Sequence, residues 1–102
     1  MLDDTAIIIS ADHGECLGEL NTHADHRIAD QCWSRLPLIV RWPGVTTQPR
    51  VDRALHYHLD LAPTVLELAE GRAPANWDAV SYAKALRRGG KGRARVPRHR
   101  RR

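Results

Sequence analysis

The apolar residues of the chain form two short continuous runs and one helical stripe. Thr5 to Ser10 and Leu36 to Trp42 are rich in Ile, Leu and Val, a pattern typical of strands buried on both faces of a parallel sheet. Residues 61 to 70 have apolar side chains at helical spacing, with Asp60 before them as a candidate N-cap and Gly71 after them as a stop. Strands that alternate with helices predict an α/β fold with a mostly parallel sheet flanked by helices.

Two weaker patterns lie between these elements. Ile28 to Ser34 is predicted to form a short helix that places Ile28 and Cys32 on one face, with Trp33 as a further candidate for that face. Val51 to Tyr57 is predicted to be extended.

Charge divides the chain into two unlike segments. Residues 84 to 102 contain ten Lys or Arg and no acid, whereas residues 1 to 83 contain six Lys or Arg and all twelve acids. We therefore expect a folded domain over 1–83 and a disordered basic tail over 84–102. The tail has no aromatic residue for stacking, so it predicts only salt-sensitive attraction to nucleic acid or anionic surfaces and no specific nucleic-acid partner. Its abrupt composition favours a shifted reading frame over a selected basic tail.

Candidate chemistry follows the first run directly. Asp12 and His13 lie at its carboxyl end, where parallel sheets bind their ligands. A carboxylate and a neutral imidazole are both metal ligands, and Gly14 allows the backbone to turn beside them. This pair is a candidate for metal ligation, although the residues alone favour a polar loop after the strand.

Four ordered motifs extend this picture. The chain resembles the C-terminal part of a sulfatase of the alkaline phosphatase superfamily in Asp12-His13-Gly14-Glu15, Leu17-Gly18-Glu19, Arg35 to Gly44 and Asp60 to Thr64. The resemblance implies a partial alkaline-phosphatase-like fold and hydrolysis of a small-molecule sulfate ester. It also implies a divalent cation, usually calcium, and a formylglycine made from Cys or Ser in a Cys-x-Pro-x-Arg motif.

Neither cysteine fits that motif, because no proline follows Cys16 or Cys32 at the required position. We expect the nucleophile in a missing N-terminal part, which the chain needs to complete its fold and its site. The fragment should be inactive alone, and a non-catalytic remnant is the alternative. The cysteines match no zinc pattern and are expected to be free thiols, although a disulfide is possible.

The resemblance implies that Asp12 and His13 coordinate the metal. The family more often has Asn where His13 stands, so manganese, zinc or iron are alternatives to calcium. The Asp-His version also occurs in relatives that cleave phosphodiesters and phosphonate monoesters. A phosphoester is therefore the alternative substrate.

A catalytic residue is implied in the loop before the second run. Many sulfatases have Lys nine residues before the Arg that matches Arg35, and His26 occupies that place. His26 is predicted to bind the sulfate oxygens or to act as a general acid. His23 and Asp25 are rival candidates, and a solvated loop histidine is the remaining interpretation.

Targeting signals are not evident. The chain has no signal-peptide pattern and no apolar run near the 18 residues of a membrane span. The default expectation is therefore a cytoplasmic location without a transmembrane segment.

Overall fold

The computed structural model describes residues 2–18 and 31–88. Clustering of contacts divides the chain into two compact units, Met1–Gly44 and Val45–Arg102. Each unit has its own secondary structure.

The first unit is built on two paired strands. A 3-10 helix at Leu2–Asp4 leads into β1 at Ile7–Ser10, and the helix α1 at Gln31–Ser34 precedes β2 at Leu38–Arg41. The Arg41 side chain holds the 3-10 helix against the sheet, because its guanidinium donates to the carbonyls of Leu2 and Thr5.

The two strands are antiparallel, with Ile7 opposite Arg41 and Ser10 opposite Leu38. The expectation of a mostly parallel sheet is therefore not met by this pair, which is the whole sheet among the described residues. The end of β1 lies beside the start of β2, where the Ser10 hydroxyl donates to the Pro37 carbonyl at 2.9 Å. Because β1 ends where β2 begins, the strands must run in opposite directions. Pro37 precedes β2, in keeping with its missing N–H.

One face of this sheet is open in the described chain. Ile9 and Ile39 are cross-strand partners and are 53% and 59% exposed. Burial of β1 on both faces was expected, and two strands alone cannot provide it.

The cysteines are joined, contrary to the expectation of free thiols. Cys16 and Cys32 form a disulfide with their Cα atoms 5.4 Å apart. The loop after β1 folds back on α1, where the Gly14 N–H donates to the Trp33 carbonyl at 3.0 Å. This return brings together two sulfurs that are 16 residues apart in sequence, and Cys16 is buried at 1% exposure.

The second unit is helical. A 3-10 turn at His58–Asp60 runs into α2 at Leu61–Glu70, and α3 spans Ala83–Arg88. The prediction of α2 is confirmed, including its end at Gly71, which has φ of 80° and donates to the Glu67 carbonyl. The predicted extended segment, 51–57, contains no strand.

Asp60 precedes α2 but does not cap it through its side chain. Its dihedrals, φ −75° and ψ −9°, are helical rather than the extended ones of a capping residue. Its carboxylate instead accepts the Val80 N–H at 2.8 Å, and Asp60 is only 2% exposed. The predicted N-cap is thus at the right position with a different partner.

Thr64 completes this buried network. Its hydroxyl donates to the Asp60 carbonyl at 2.6 Å and accepts the Tyr82 N–H at 2.9 Å. Small and aromatic side chains fill the interior around it, namely Pro63, Ala79, Tyr82, Ala83 and Ala85. The guanidinium of Arg50 donates to the carbonyls of Ala85 and Leu86, which places a cation at the C-terminal end of α3.

No helix in the described parts of the chain is long and apolar enough to span a membrane.

Candidate metal-binding site

Asp12 and His13 lie in the loop that follows β1, beyond the end of the strand at Ser10. Both side chains are accessible, with 90% of the Asp12 side chain and 54% of the His13 side chain exposed. The His13 backbone N–H donates to Asp12 Oδ1 at 3.0 Å and so fixes the direction of the carboxylate.

A hydrogen bond sets the tautomer of His13. Its Nδ1 lies 2.8 Å from the Gly14 carbonyl oxygen. Because a carbonyl oxygen only accepts, Nδ1 carries the proton in the neutral ring, and Nε2 keeps its lone pair. Neutral imidazole with a defined tautomer is the form that binds metals.

The spacing of the pair fits one ion. His13 Nε2 and Asp12 Oδ2 are 4.0 Å apart. Metal bonds to nitrogen and oxygen are about 2.0 to 2.6 Å long, so a single cation can contact both atoms. Among the described residues no group of three or more His, Cys, Asp or Glu is placed to hold a metal. This pair would therefore be one part of a coordination sphere.

The same contacts raise the pKa of His13 above its ordinary value. The largest cause is the hydrogen bond to the Gly14 carbonyl, followed by the Asp12 carboxylate, while burial acts weakly in the opposite direction. A cation at this site therefore competes with a proton for Nε2.

Trp33, which the sequence patterns do not single out, contacts the face of the His13 ring. The two ring centroids are 5.1 Å apart and the rings are inclined by 30°. Trp33 belongs to α1 and follows Cys32 of the disulfide. The adjacency of a cysteine and an aromatic residue is the sequence signal that could have pointed to it.

Close backbone contact explains the glycine that follows His13. A Cβ at position 14 would overlap the Cys32 carbonyl oxygen and lie 3.2 Å from the Cα of Trp33. Gly14 is therefore required by a close approach of two backbones.

His26, the predicted catalytic residue, and its rivals His23 and Asp25 lie outside the described residues. Their roles stay predictions.

Another histidine of the chain, in the second unit, has protein partners. His56 Nε2 is 3.1 Å from Asp52 Oδ2, and its ring lies 4.6 Å from that of Tyr82. These contacts give His56 a role in packing.

The Sulfatase family model matches residues 1–71, which is more than half of the chain. The chain belongs to the sulfatase family. The assignment as a sulfatase-like hydrolase by resemblance is thereby confirmed.

Curated relatives agree with this family. The chain is 31% identical over 90 residues to an N-acetylglucosamine-6-O-sulfatase of Bacteroides thetaiotaomicron, covering 88% of this chain and 16% of that protein. It is 33% identical over 89 residues to the multifunctional alkaline phosphatase superfamily protein PehA of Trinickia caryophylli, covering 85% of this chain and 17% of that protein. The chain thus spans about one sixth of the length of these relatives.

A solved structure shows the same fold. The chain matches BT4656 in complex with D-glucosamine-2-N,6-O-disulfate, with a TM-score of 0.78 and 32% sequence identity. The match covers 91% of this chain and 19% of that one. The prediction of a partial alkaline-phosphatase-like α/β fold is confirmed.

Proposed function

We propose that this chain supplies part of the metal site of a metal-dependent sulfuric ester hydrolase. The observation that supports this function best is the pairing of Asp12 Oδ2 and His13 Nε2 at 4.0 Å, in a sulfatase-family chain, with the tautomer of His13 set by Gly14. The bound cation would polarise the ester oxygens and so stabilise developing negative charge. Asp12 would contribute a carboxylate and His13 a neutral imidazole, and both are accessible and held in a fixed orientation.

The ion is proposed to be divalent. Calcium is the usual ion of the family, while the imidazole of His13 suits manganese, zinc or iron better. A titration of the chain with each of these ions separates the choices.

The nucleophile would come from outside this chain. Both cysteines are held in the disulfide, and neither is followed by the proline of the formylglycine motif. A metal site without a nucleophile leaves the covalent step unavailable. We therefore expect the 102-residue chain to need the N-terminal part of a sulfatase domain to complete its fold and its site.

The proposed role of His26 is to bind the sulfate oxygens or to protonate the leaving group. In a complete homologue with the same arrangement, His26→Ala should leave the metal content unchanged and slow turnover on the order of 10²-fold, least for leaving groups that need no proton. Loss of metal in that variant would make His26 a ligand instead.

The function is tested first by metal binding. Two protein ligands leave the rest of the coordination sphere to water, so Mn²⁺ titrated into the purified chain and followed by isothermal calorimetry should bind weakly at one site. Asp12→Ala or His13→Ala should abolish this binding. The matched controls are Asp4→Ala and His58→Ala, which remove an exposed residue of the same type elsewhere. Equal binding by all five proteins would reject the site.

Activity gives the second test. The isolated chain should not hydrolyse an aryl sulfate above background, whereas the same segment within a complete sulfatase should support turnover that depends on Asp12 and His13. Turnover by the isolated chain, free of contaminating hydrolases, would contradict the missing nucleophile.

A second candidate reaction is hydrolysis of phosphodiesters or phosphonate monoesters. It is favoured by His13 in place of the commoner Asn and by the 33% identity to PehA, a protein named as a multifunctional member of the superfamily. Relative kcat/KM values of a complete homologue for matched aryl sulfate, phosphodiester and phosphonate substrates distinguish the two reactions.

The disulfide also bears on location. Disulfides persist in oxidising compartments and are rare in the cytosol. The Cys16–Cys32 bond therefore favours an oxidising compartment over the cytoplasmic default. Thiol labelling of the protein in intact cells would test this placement.

A further inference from the structure

The His13 ring has two distinct restraints. The Gly14 carbonyl holds its edge through Nδ1 at 2.8 Å, and the indole of Trp33 covers its face at a centroid distance of 5.1 Å. A hydrogen bond to Nδ1 alone leaves the ring able to tilt about that bond. The stacked indole limits this tilt, and with it the direction in which Nε2 points.

Trp33 is itself anchored on both sides of its own Cα. Its carbonyl accepts the Gly14 N–H at 3.0 Å, and its neighbour Cys32 is bonded to the buried Cys16. The close approach at Gly14 leaves no space for the backbone of Cys32 and Trp33 to move inward. The disulfide and the hydrogen bond from Gly14 to Trp33 therefore both join the loop of Asp12 to Cys16 to α1.

We propose that Trp33 is a positioning residue for His13 and that the Cys16–Cys32 disulfide is the restraint that keeps Trp33 in place. This inference rests on the proposed metal site. Partners that orient a ligating histidine typically contribute 10-fold to 100-fold, roughly, in metal affinity. Opening the disulfide should therefore weaken cation binding without touching either ligand.

The chemical change needed for the test is a simple reduction. Dithiothreitol breaks the bond between the two sulfurs and delivers two electrons and two protons, so that Cys16 and Cys32 become thiols and the dithiol becomes its cyclic disulfide. The reductant is then removed by gel filtration under argon, so that it does not bind the metal.

The affinity of the chain for Mn²⁺ is measured by electron paramagnetic resonance, in which the free ion gives a sharp signal that binding broadens. We expect the oxidised chain to bind Mn²⁺ about tenfold or more tightly than the reduced chain. Reoxidation should restore the affinity. The double variant Cys16→Ser/Cys32→Ser should match the reduced chain and should not respond to dithiothreitol.

Variants of the stacked ring separate positioning from general stability. Trp33→Ala should weaken Mn²⁺ binding to about the same extent as reduction, while Trp33→Phe should retain most of it because a stacked ring is kept. Trp77→Ala, which removes a 45% exposed indole in the second unit, is the matched control and should leave binding unchanged.

Nitrogen NMR of the imidazole rings, with the His13 signals assigned by their loss in His13→Ala, adds a readout that a merely structural role would not move. The oxidised chain should show the Nδ1–H tautomer at His13, and the reduced chain and Trp33→Ala should show a mixture of tautomers. Amide signals of Ile7 to Ser10 report whether β1 remains paired.

The outcomes are distinct. If the oxidised chain does not bind Mn²⁺, the proposed metal site fails and the positioning role fails with it. If it binds and reduction or Trp33→Ala leaves both affinity and tautomer unchanged, the positioning role alone is overturned. Loss of the β1 signals together with metal binding would also overturn it, since the disulfide would then hold the whole unit rather than one ring.

Discussion

The carboxylate of Asp60 accepts a hydrogen bond from the Val80 N–H at 2.8 Å, across 20 residues of sequence. Thr64, one turn further along α2, receives the Tyr82 N–H in the same way at 2.9 Å. Two buried polar side chains thus satisfy alternate N–H groups of one segment and hold it against the start of the helix. The Asp-Leu-Ala-Pro-Thr motif therefore has a structural role, in which Asp60 and Thr64 bind the backbone of Val80 and Tyr82.

Asp60→Ala should destabilise the second unit by about 1 to 3 kcal/mol, because the part-buried hydrogen bond from the Val80 N–H to the Asp60 carboxylate is lost. Asp60→Asn keeps a side-chain oxygen and should cost less. Urea unfolding followed by circular dichroism gives the free energies, with Glu70→Ala at the exposed end of α2 as the control. Equal stability of Asp60→Ala and the control would show that the hydrogen bond between Asp60 and Val80 does not stabilise the second unit.

Thr64→Val preserves shape and removes the hydroxyl that serves both Asp60 and Tyr82. We expect faster hydrogen exchange at the Tyr82 amide, by roughly 5-fold to 150-fold for a loss of about 1 to 3 kcal/mol. Thr64→Ser should exchange like the wild type, since it keeps the hydroxyl. If the Tyr82 amide exchanges as slowly in Thr64→Val as in the wild type, the hydrogen bond from its N–H to the Thr64 hydroxyl is contradicted.

Burial, with a smaller contribution from the Asp60 carboxylate, raises the pKa of Tyr82 from 10.0 to about 12. The folded state thus holds a proton that the unfolded state releases first. The resulting stabilisation is complete below pH 10 and is lost as the pH rises toward 12. In Tyr57→Phe, which leaves Tyr82 as the sole tyrosine, absorbance at alkaline pH should give a midpoint near 12. A midpoint near 10 in the folded protein would exclude this burial effect.

Metal binding should weaken as the pH falls, because the proton and the cation compete for Nε2 of His13. The Gly14 carbonyl and then the Asp12 carboxylate raise the pKa of His13, so the competition begins above the ordinary value of 6.5. Calorimetric titrations with Mn²⁺ in buffers of different ionisation enthalpy should detect proton release in this range. Absence of proton release across the titration of His13 would argue against ligation by its imidazole.

The sequence predicted the local features of this fold well and the long-range ones less well. The apolar runs located β1 and β2, and the stripe ending at Gly71 located α2, because hydrophobic periodicity and glycine stops act over a few residues. The antiparallel register is set by contacts such as Ser10 to Pro37, 27 residues apart, which no local pattern contains.

The site was predicted in the same uneven way. Asp12 and His13 could be proposed as ligands because strand ends and ligand chemistry are readable in the sequence, and their role stays a prediction. The contact between Trp33 and His13 was not predicted and the disulfide was only an alternative, because both form only after α1 returns to the loop. Asp60 was placed before α2, but its true partner, Val80, comes from another segment.

The absence of a Cβ at Gly14 also links disulfide formation to folding of the first unit. In the folded unit residues 14 and 32 cross at backbone contact beside the disulfide, so this crossing favours oxidation of the two thiols. Gly14→Ala should therefore accumulate molecules with two titratable thiols during refolding in air, while the wild type loses them. The number of free thiols in Gly14→Ala therefore reports whether residues 14 and 32 have come into contact.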